Sequence, residues 1–548
     1  MYSCAVVSKA WKAAAAAGTV SVACNGLSEA SLKLWALEAW LRKQGHQLTE
    51  LSATIACTHG VARSGAQLWL PCAELPQLAR LDLTGLQPLL MSDLTPRWSG
   101  LNPASSPVTV ESGLPMLREL RLSNLTISKP YSIAQLTQLS GLTLLALFDV
   151  TLASAVGAAG KPTASQALNN AVPALLEHLP RLEHLDLNYL LSELTANAVA
   201  ATSSSLTRLS VSPSGQSTHG QPLAREPPIS VVQLVQLQHL DIRHAVLDPA
   251  ALANLLQLRR LHMQHCRLAP GAQSASVAAA TGDQAILLLQ SVGGMQHLQH
   301  LSLINVDLQA NHRGLAFAAT QPHRLSALTA SSQLTSLEVW ADMDVPLPPA
   351  AVQYMFPAGR RLERLKELVL ASDCRDGTAR ACMSVADLQY IVSACPALCL
   401  LNLSSGVSTG AGDISTLLQL PATCQSLCVA GTAFSDEAAG IIGQLTQLTN
   451  LTWMEMPGLS DAGLHQLTAL QGLQEFCIID MDRLSAEVQQ VAPEYARVCG
   501  SSYLIMSAES SNMVSLCDAC MGALNARPAV RLCHCAFGRH AMHQWCGP

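Results

Sequence analysis

The last 32 residues of this 548-residue chain crowd together side chains that can ligate a metal. Cys517-Asp-Ala-Cys520 comes first, then Cys533-His-Cys535, then His540 and His543-Gln-Trp-Cys546. Thiolate and imidazole donors in pairs at such separations suit tetrahedral zinc. Such an ion would be structural, ordering a segment too small to hold a core of its own. A thiol-rich tail without metal, or the cut end of a longer protein, is the alternative reading. A second concentration of chemistry lies mid-chain, where His239, His244, His262, His265 and His300 gather around Asp241, Arg243 and Arg260. No Ser/His/Asp order, phosphate loop or carboxylate pair stands out, so neither cluster reads as catalytic.

The elements that position the second cluster are visible in Val235 to Leu268. One pattern occurs twice there, first on Leu237, Leu240, Ile242, Ala245 and Leu247, then on Leu258, Leu261, Met263, Cys266 and Leu268. The offset is about 21 residues, within the range of leucine-rich repeats. Each L-x-L core predicts a strand whose alternate residues face opposite ways. Asp248 and Pro249 predict the start of a short helix between copies. One such unit cannot bury its apolar face alone and must stack on neighbours. Further cores fall at Leu81, Leu120, Leu145, Leu185, Leu209, Leu301, Leu337, Leu368, Leu401, Leu427, Leu451 and Phe476. Ser435-Asp436 and Ser460-Asp461 predict helix starts. The expected fold is α/β: a leucine-rich-repeat solenoid, or horseshoe, of about 14 repeats, with an N-terminal helical cap and a small Cys/His-rich C-terminal segment.

The boundaries expected are a first helix over 1–20, a helical and strand cap over 21–67, the solenoid over 68–484, a linker over 485–516 and the zinc-finger-like segment over 517–548. Corner positions that carry asparagine in many such repeats hold Leu125, Val150, Ala245, Cys266, Val306 and Thr432, so backbone groups there must be met by neighbouring repeats or water.

In this arrangement the residues between the leucines line the concave face. The partner-binding set expected on it is His184, Tyr189, His239, Asp241, Arg243, Arg260, His262, His300 and Trp340, with Asp241 beside His262. Tyr, Trp and Arg are the residue types that dominate protein-binding hot spots. Clustered histidines add an expectation of pH-dependent binding between pH 6 and 8. For any one of these residues the plainer reading is an ordinary solvated position.

Composition narrows the class. Charged residues make up 13% of the chain, against roughly 25% in typical soluble domains. The net charge is −6 with no long basic run, which argues against a nucleic-acid partner. No apolar run approaches the ~18 residues of a membrane span. The 18 cysteines, many at repeat core positions, point to a reducing compartment, hence a cytoplasmic location with nucleus or ciliary axoneme as alternatives.

Cys4-Ala-Val-Val7-Ser8-Lys9-Ala-Trp11 resembles the last helix of an F-box, and with the Ser-Asp helix starts the chain is similar to green-algal F-box/leucine-rich-repeat proteins with cysteine-containing repeats. The earlier F-box helices are absent from it. The resemblance implies docking of a Skp-type cullin adaptor through Val7 and Trp11. An amphipathic capping helix is the plainer reading of those two residues. The cysteine-rich end resembles the first three ligand pairs of a RING or RING-CH finger. In such a finger the first and third pairs share one ion, here Cys517, Cys520, His543 and Cys546; a second site would take Cys533, Cys535 and His540. Together these resemblances imply a substrate-recognition subunit of a cullin-type (SCF) ubiquitin ligase acting on a protein substrate, itself non-catalytic. The alternatives are a cytoskeletal or ciliary repeat scaffold and a RING-type ubiquitin ligase continuing beyond residue 548.

Overall fold

Leucines two residues apart recur along the chain, and in the computed structural model the repeat cores among the described residues, such as Leu81–Leu83, Leu185–Leu187 and Leu301–Leu303, lie in strands of parallel sheet. The structure describes residues 21–28, 39–43, 45–56, 75–91, 114–127, 136, 139–148, 151–152, 176–188, 205–212, 229, 231–269, 284–306, 322–341, 351–372, 383–404, 407–408, 414–430, 435–454, 460–479 and 503–507. The chain divides into two units, Met1–Phe317 and Ala318–Pro548. Each is an α/β leucine-rich-repeat solenoid.

In the first unit the strands are β1 (Ser21–Ser28), β2 (Glu50–Ala56), β3 (Arg80–Met91), β4 (Glu119–Ile127), β5 (Leu144–Phe148), β6 (His184–Asn188), β7 (Arg208–Ser212), β8 (His239–Arg243), β9 (Arg260–Gln264) and β10 (His300–Ile304). Each pairs in parallel with the next along the chain. The second unit repeats the arrangement with β11 (Ser336–Ala341), β12 (Glu367–Ser372), β13 (Leu400–Leu403), β14 (Ser426–Ala430), β15 (Asn450–Met454), β16 (Glu475–Ile479) and β17 (Tyr503–Ser507). The sheets thus take in β1 and β2, inside the stretch read as a cap, and β17, inside the stretch read as a linker.

Register is pinned twice in each repeat. The core leucines align across strands, as in Leu185, Leu209, Leu240, Leu261 and Leu301, all nearly inaccessible to solvent. A one-residue slip would turn every one of them to solvent. Ahead of β3 to β10 and β12 to β16, one carbonyl accepts two amides of the next repeat. Thr207 O takes Gln238 N and His239 N at 2.8 and 3.0 Å, and Gln238 O takes Arg259 N and Arg260 N at 2.7 and 3.0 Å.

The return segments are helical, often only one or two turns. Asp248 caps a 3-10 helix over Pro249–Asn254 by accepting from Ala250 N at 3.1 Å, as the Asp-Pro pair predicts. The α-helical pieces are α1 (Gln284–Gly294), α2 (Ala351–Met355), α3 (Val385–Ala394), α4 (Asp436–Ile442) and α5 (Asp461–Gln466). Ser435 and Ser460 stand at the N-caps of α4 and α5. At the corners, neighbouring repeats supply the missing partners. The buried Cys266 thiol donates to Ile242 O at 3.2 Å, and Arg267 N donates to Ala245 O at 2.9 Å.

Close packing of α4 on α5 sets a test. A Cβ at Gly443 would lie 2.6 Å from Gln466 O and 3.2 Å from Ala439 O, both backbone atoms. At Gly440 the obstacle is the mobile end of the Gln466 side chain. Gly443→Ala is therefore expected to cost about 1–3 kcal/mol by overpacking. Gly440→Ala is expected to change stability by less than about 1 kcal/mol, since helix propensity favours Ala. Urea unfolding of the two variants checks the pair; equal stabilities would contradict the packing described. Among the described residues, no helix is long and apolar enough to cross a membrane.

Candidate functional site

Alternation in β5 to β10 leaves one set of side chains in the core and presents the other as three rows across the strands. The first row runs Leu144, His184, Arg208, His239, Arg260, His300. The second runs Ala146, Asp186, Ser210, Asp241, His262, Ser302. The third includes Phe148 on β5, and Arg243 beside Gln264. Neighbouring strands stand about 4.8 Å apart, so each row places unlike groups side by side.

Of the residues expected from the sequence, His184, His239, Arg260 and His300 share the first row, Asp241 and His262 the second, and Arg243 the third. Asp241 is the hub. Arg243 grips it with both ends of its fork, Nε to Oδ1 at 3.0 Å and Nη2 to Oδ2 at 2.9 Å. The His262 ring is next to it, Nε2 to Oδ1 at 3.9 Å, and the opposite ring nitrogen meets Ser302 Oγ at 2.9 Å. Asp241, His262 and Ser302 thus lie in line. Yet the carboxylate is committed to Arg243, and 3.9 Å exceeds a hydrogen bond, so Asp241 does not orient His262 as a catalytic relay requires. The line works as a structural tie across three strands.

Electrostatics differ sharply between rows. His239 is pushed down to about 4, chiefly by burial and then by Arg208, Arg260, His184 and His300. His184 is lowered too, by burial, Arg208 and Arg121 against an opposing pull from Glu119. In the free protein His239 is therefore neutral from pH 6 to 8, which removes it from the titration that clustered histidines predict there. In the second row Asp186 is pushed up to about 6, by burial and then by Asp241, with Arg243, a Ser210 hydrogen bond and Arg121 opposing.

Two features were not singled out from sequence. Ser302 is the residue between Leu301 and Leu303, and the repeat pattern itself was the signal for it. Past the strand ends, His244, His265 and Asn305 have left-handed backbones, φ 52°, 51° and 49°. The rings of His244 and His265 stack at 4.8 Å and 13°. Non-glycine residues with positive φ are uncommon, and His and Asn are among the types enriched there, so the residue type right after each strand was the one signal for these turns.

Trp340 lies on β11 in the second unit, its indole N–H donating to Glu338 Oε1 at 2.8 Å. Tyr189, Val7, Trp11, Cys517, Cys520, Cys533, Cys535, His540, His543 and Cys546 fall outside the described residues. Among the described residues, no cluster of three or more His, Cys, Asp or Glu side chains could hold a metal ion.

No protein-family model and no curated protein matches the chain. Solved structures do resemble it. An internalin from Listeria monocytogenes matches at 16% identity over 68% of this chain and 82% of its own, TM-score 0.41. The functional domain of the internalin InlJ from the same bacterium, which includes a cysteine ladder, matches at 15% identity over 84% of this chain and 74% of its own, TM-score 0.43. The receptor in a TLR13–single-stranded RNA complex matches at 17% identity over 83% of this chain and 51% of its own, TM-score 0.39.

Proposed function

We propose that the chain is a protein-recognition solenoid whose ligand lies along the exposed face of β5 to β10, and that it acts as the substrate-recognition subunit of a cullin-type ubiquitin ligase in the cytoplasm. The observation that supports recognition is the face itself. Strand after strand places Arg, His, Asp and an aromatic ring on one surface, while the leucines of the same strands supply the core on the other. The ligase role rests on the likeness of Cys4 to Trp11 to an F-box helix.

Mixing the purified chain with a Skp-type adaptor tests that role. A 1:1 complex on size exclusion, lost on Val7→Asp or Trp11→Ala, is the expected result. No complex overturns the receptor role, and ubiquitin transfer without a cullin would favour the RING reading instead.

The cysteine-rich end carries its own proposal. Cys517, Cys520, His543 and Cys546 are donors of the kind structural zinc takes, and we expect them to hold one ion. Metal analysis should find about one equivalent, lost in Cys517→Ala. Less than about half an equivalent, or no change in the variant, would reject the site.

A further inference from the structure

Three arginines on the first unit's exposed face are met by its own carboxylates. Arg80 pairs with Glu119 at 3.4 Å, Arg121 reaches the same carboxylate at 3.9 Å, and Arg243 grips Asp241. Arg208 and Arg260 differ. They are exposed, they occupy equivalent positions two strands apart, and among the described residues neither lies within 4.0 Å of a carboxylate. Between them stands His239, paired in register with both. The row continues into His184 and His300. Within this row the two arginines are the cations that no carboxylate of the described residues meets within 4.0 Å.

We propose that the row His184, Arg208, His239, Arg260, His300 binds the carboxylates of an extended acidic peptide laid across the strands, and that His239 gains a proton when the peptide binds. The inference rests on the protein-recognition reading and supplies the chemistry of its ligand. The spacing suits it. Two strand steps put Arg208 and Arg260 about 9.6 Å apart, and in a polyproline II peptide every third residue recurs on the same side at about 9.3 Å. The flanks favour a peptide over a nucleic acid. Leu144, Ala146 and Phe148 make an apolar strip at one end, with Phe148 42% exposed, which takes an apolar side chain and offers nothing to a phosphate chain.

The charged and titratable groups around His239 are Arg208 on β7, Arg260 and His262 on β9, Asp241 on its own strand, and His184 and His300 further along the row. The cations disfavour its protonated form, and a carboxylate bridging the two arginines would cancel them. Proton uptake on binding makes affinity rise as pH falls. If the bound ring returns to the ordinary histidine value near 6.5, the gain from pH 7.5 to 5.5 is about tenfold, with glutamates still ionised.

Fluorescence anisotropy tests this on the full chain. The probe is a labelled peptide of about ten residues with glutamate at every third position and one phenylalanine. Controls are the same peptide with glutamine and a single-stranded oligonucleotide of equal length. The expected results are saturable binding of the acidic peptide, at least tenfold weaker binding of the glutamine peptide, tenfold loss in Arg208→Gln/Arg260→Gln, retention in Arg208→Lys/Arg260→Lys, and loss of the pH slope in His239→Asn. Weaker binding of wild type between 50 and 300 mM salt is expected as well, and needs no variant to fold. Equal affinity for the glutamine peptide, no salt dependence, or preferential binding of the oligonucleotide would overturn the proposal. A protein partner that binds this face without regard to its carboxylates would overturn it while leaving the protein-recognition reading intact.

Discussion

Replacing Trp453 by alanine is expected to destabilise the second unit by about 3–5 kcal/mol, the range for emptying a large aromatic site. Trp453 occupies the second core position of β15, in register with Val429 and Ile478, where other repeats carry leucine, valine, isoleucine or methionine. It is wholly buried, and its indole N–H has no acceptor among the described residues. A buried donor without a partner costs about 1–3 kcal/mol. Trp453→Phe removes that donor and keeps most of the ring, so it is expected to cost less than about 1.5 kcal/mol. Hydrogen exchange in β14 to β16 reads the effect where it arises, because long repeat arrays need not unfold as one unit. A phenylalanine variant as damaged as the alanine variant would mean that the indole N–H is bonded after all.

The second large effect is on pH dependence. Asp186 is held near pH 6 in the folded chain, mainly by burial and secondarily by Asp241, against about 3.9 unfolded. The folded state therefore binds this proton more tightly. Its contribution to stability is complete below about pH 4 and is lost as pH rises through about 6. At pH 7.5 the wild-type chain folds with an ionised carboxylate in an unfavourable place. Asp186→Asn is expected to be more stable than wild type by about 2 kcal/mol at pH 7.5, and to lose that advantage by pH 4. Melting curves at the two pH values decide it; a variant no more stable than wild type at pH 7.5 would show that Ser210 and Arg243 compensate the charge fully.

Much of this architecture could be read from residue spacing, and the exceptions have physical causes. An L-x-L core states both the strand and the side that faces inward, so Asp241 beside His262 follows from aligning Leu240 with Leu261. β1, β2 and β17 lack the full repeat pattern; sequences such as Tyr503-Leu-Ile-Met-Ser507 join the sheet by pairing with a neighbour that already exists. The rows of the face were legible in the same way. What spacing could not tell is which acid neutralises which arginine. Glu119 answers Arg80 and Asp241 answers Arg243, while Arg208 and Arg260 go unanswered, and that pattern depends on side-chain reach. The depression of His239 comes first from burial and then from neighbouring cations, neither of which spacing states; the left-handed turns at His244 and His265 show only as a residue type favoured there.

The thiol that closes the corner of its repeat has a practical consequence. Cys266 in the first unit, like Cys395 and Cys424 in the second, is buried, and burial pushes each up to about 12. The thiolate, not the thiol, attacks an alkylating reagent, so each sulfur stays silent until the turn around it opens to water. Among the described residues these three are native probes, and the order in which they become labelled would chart where the stack first comes apart.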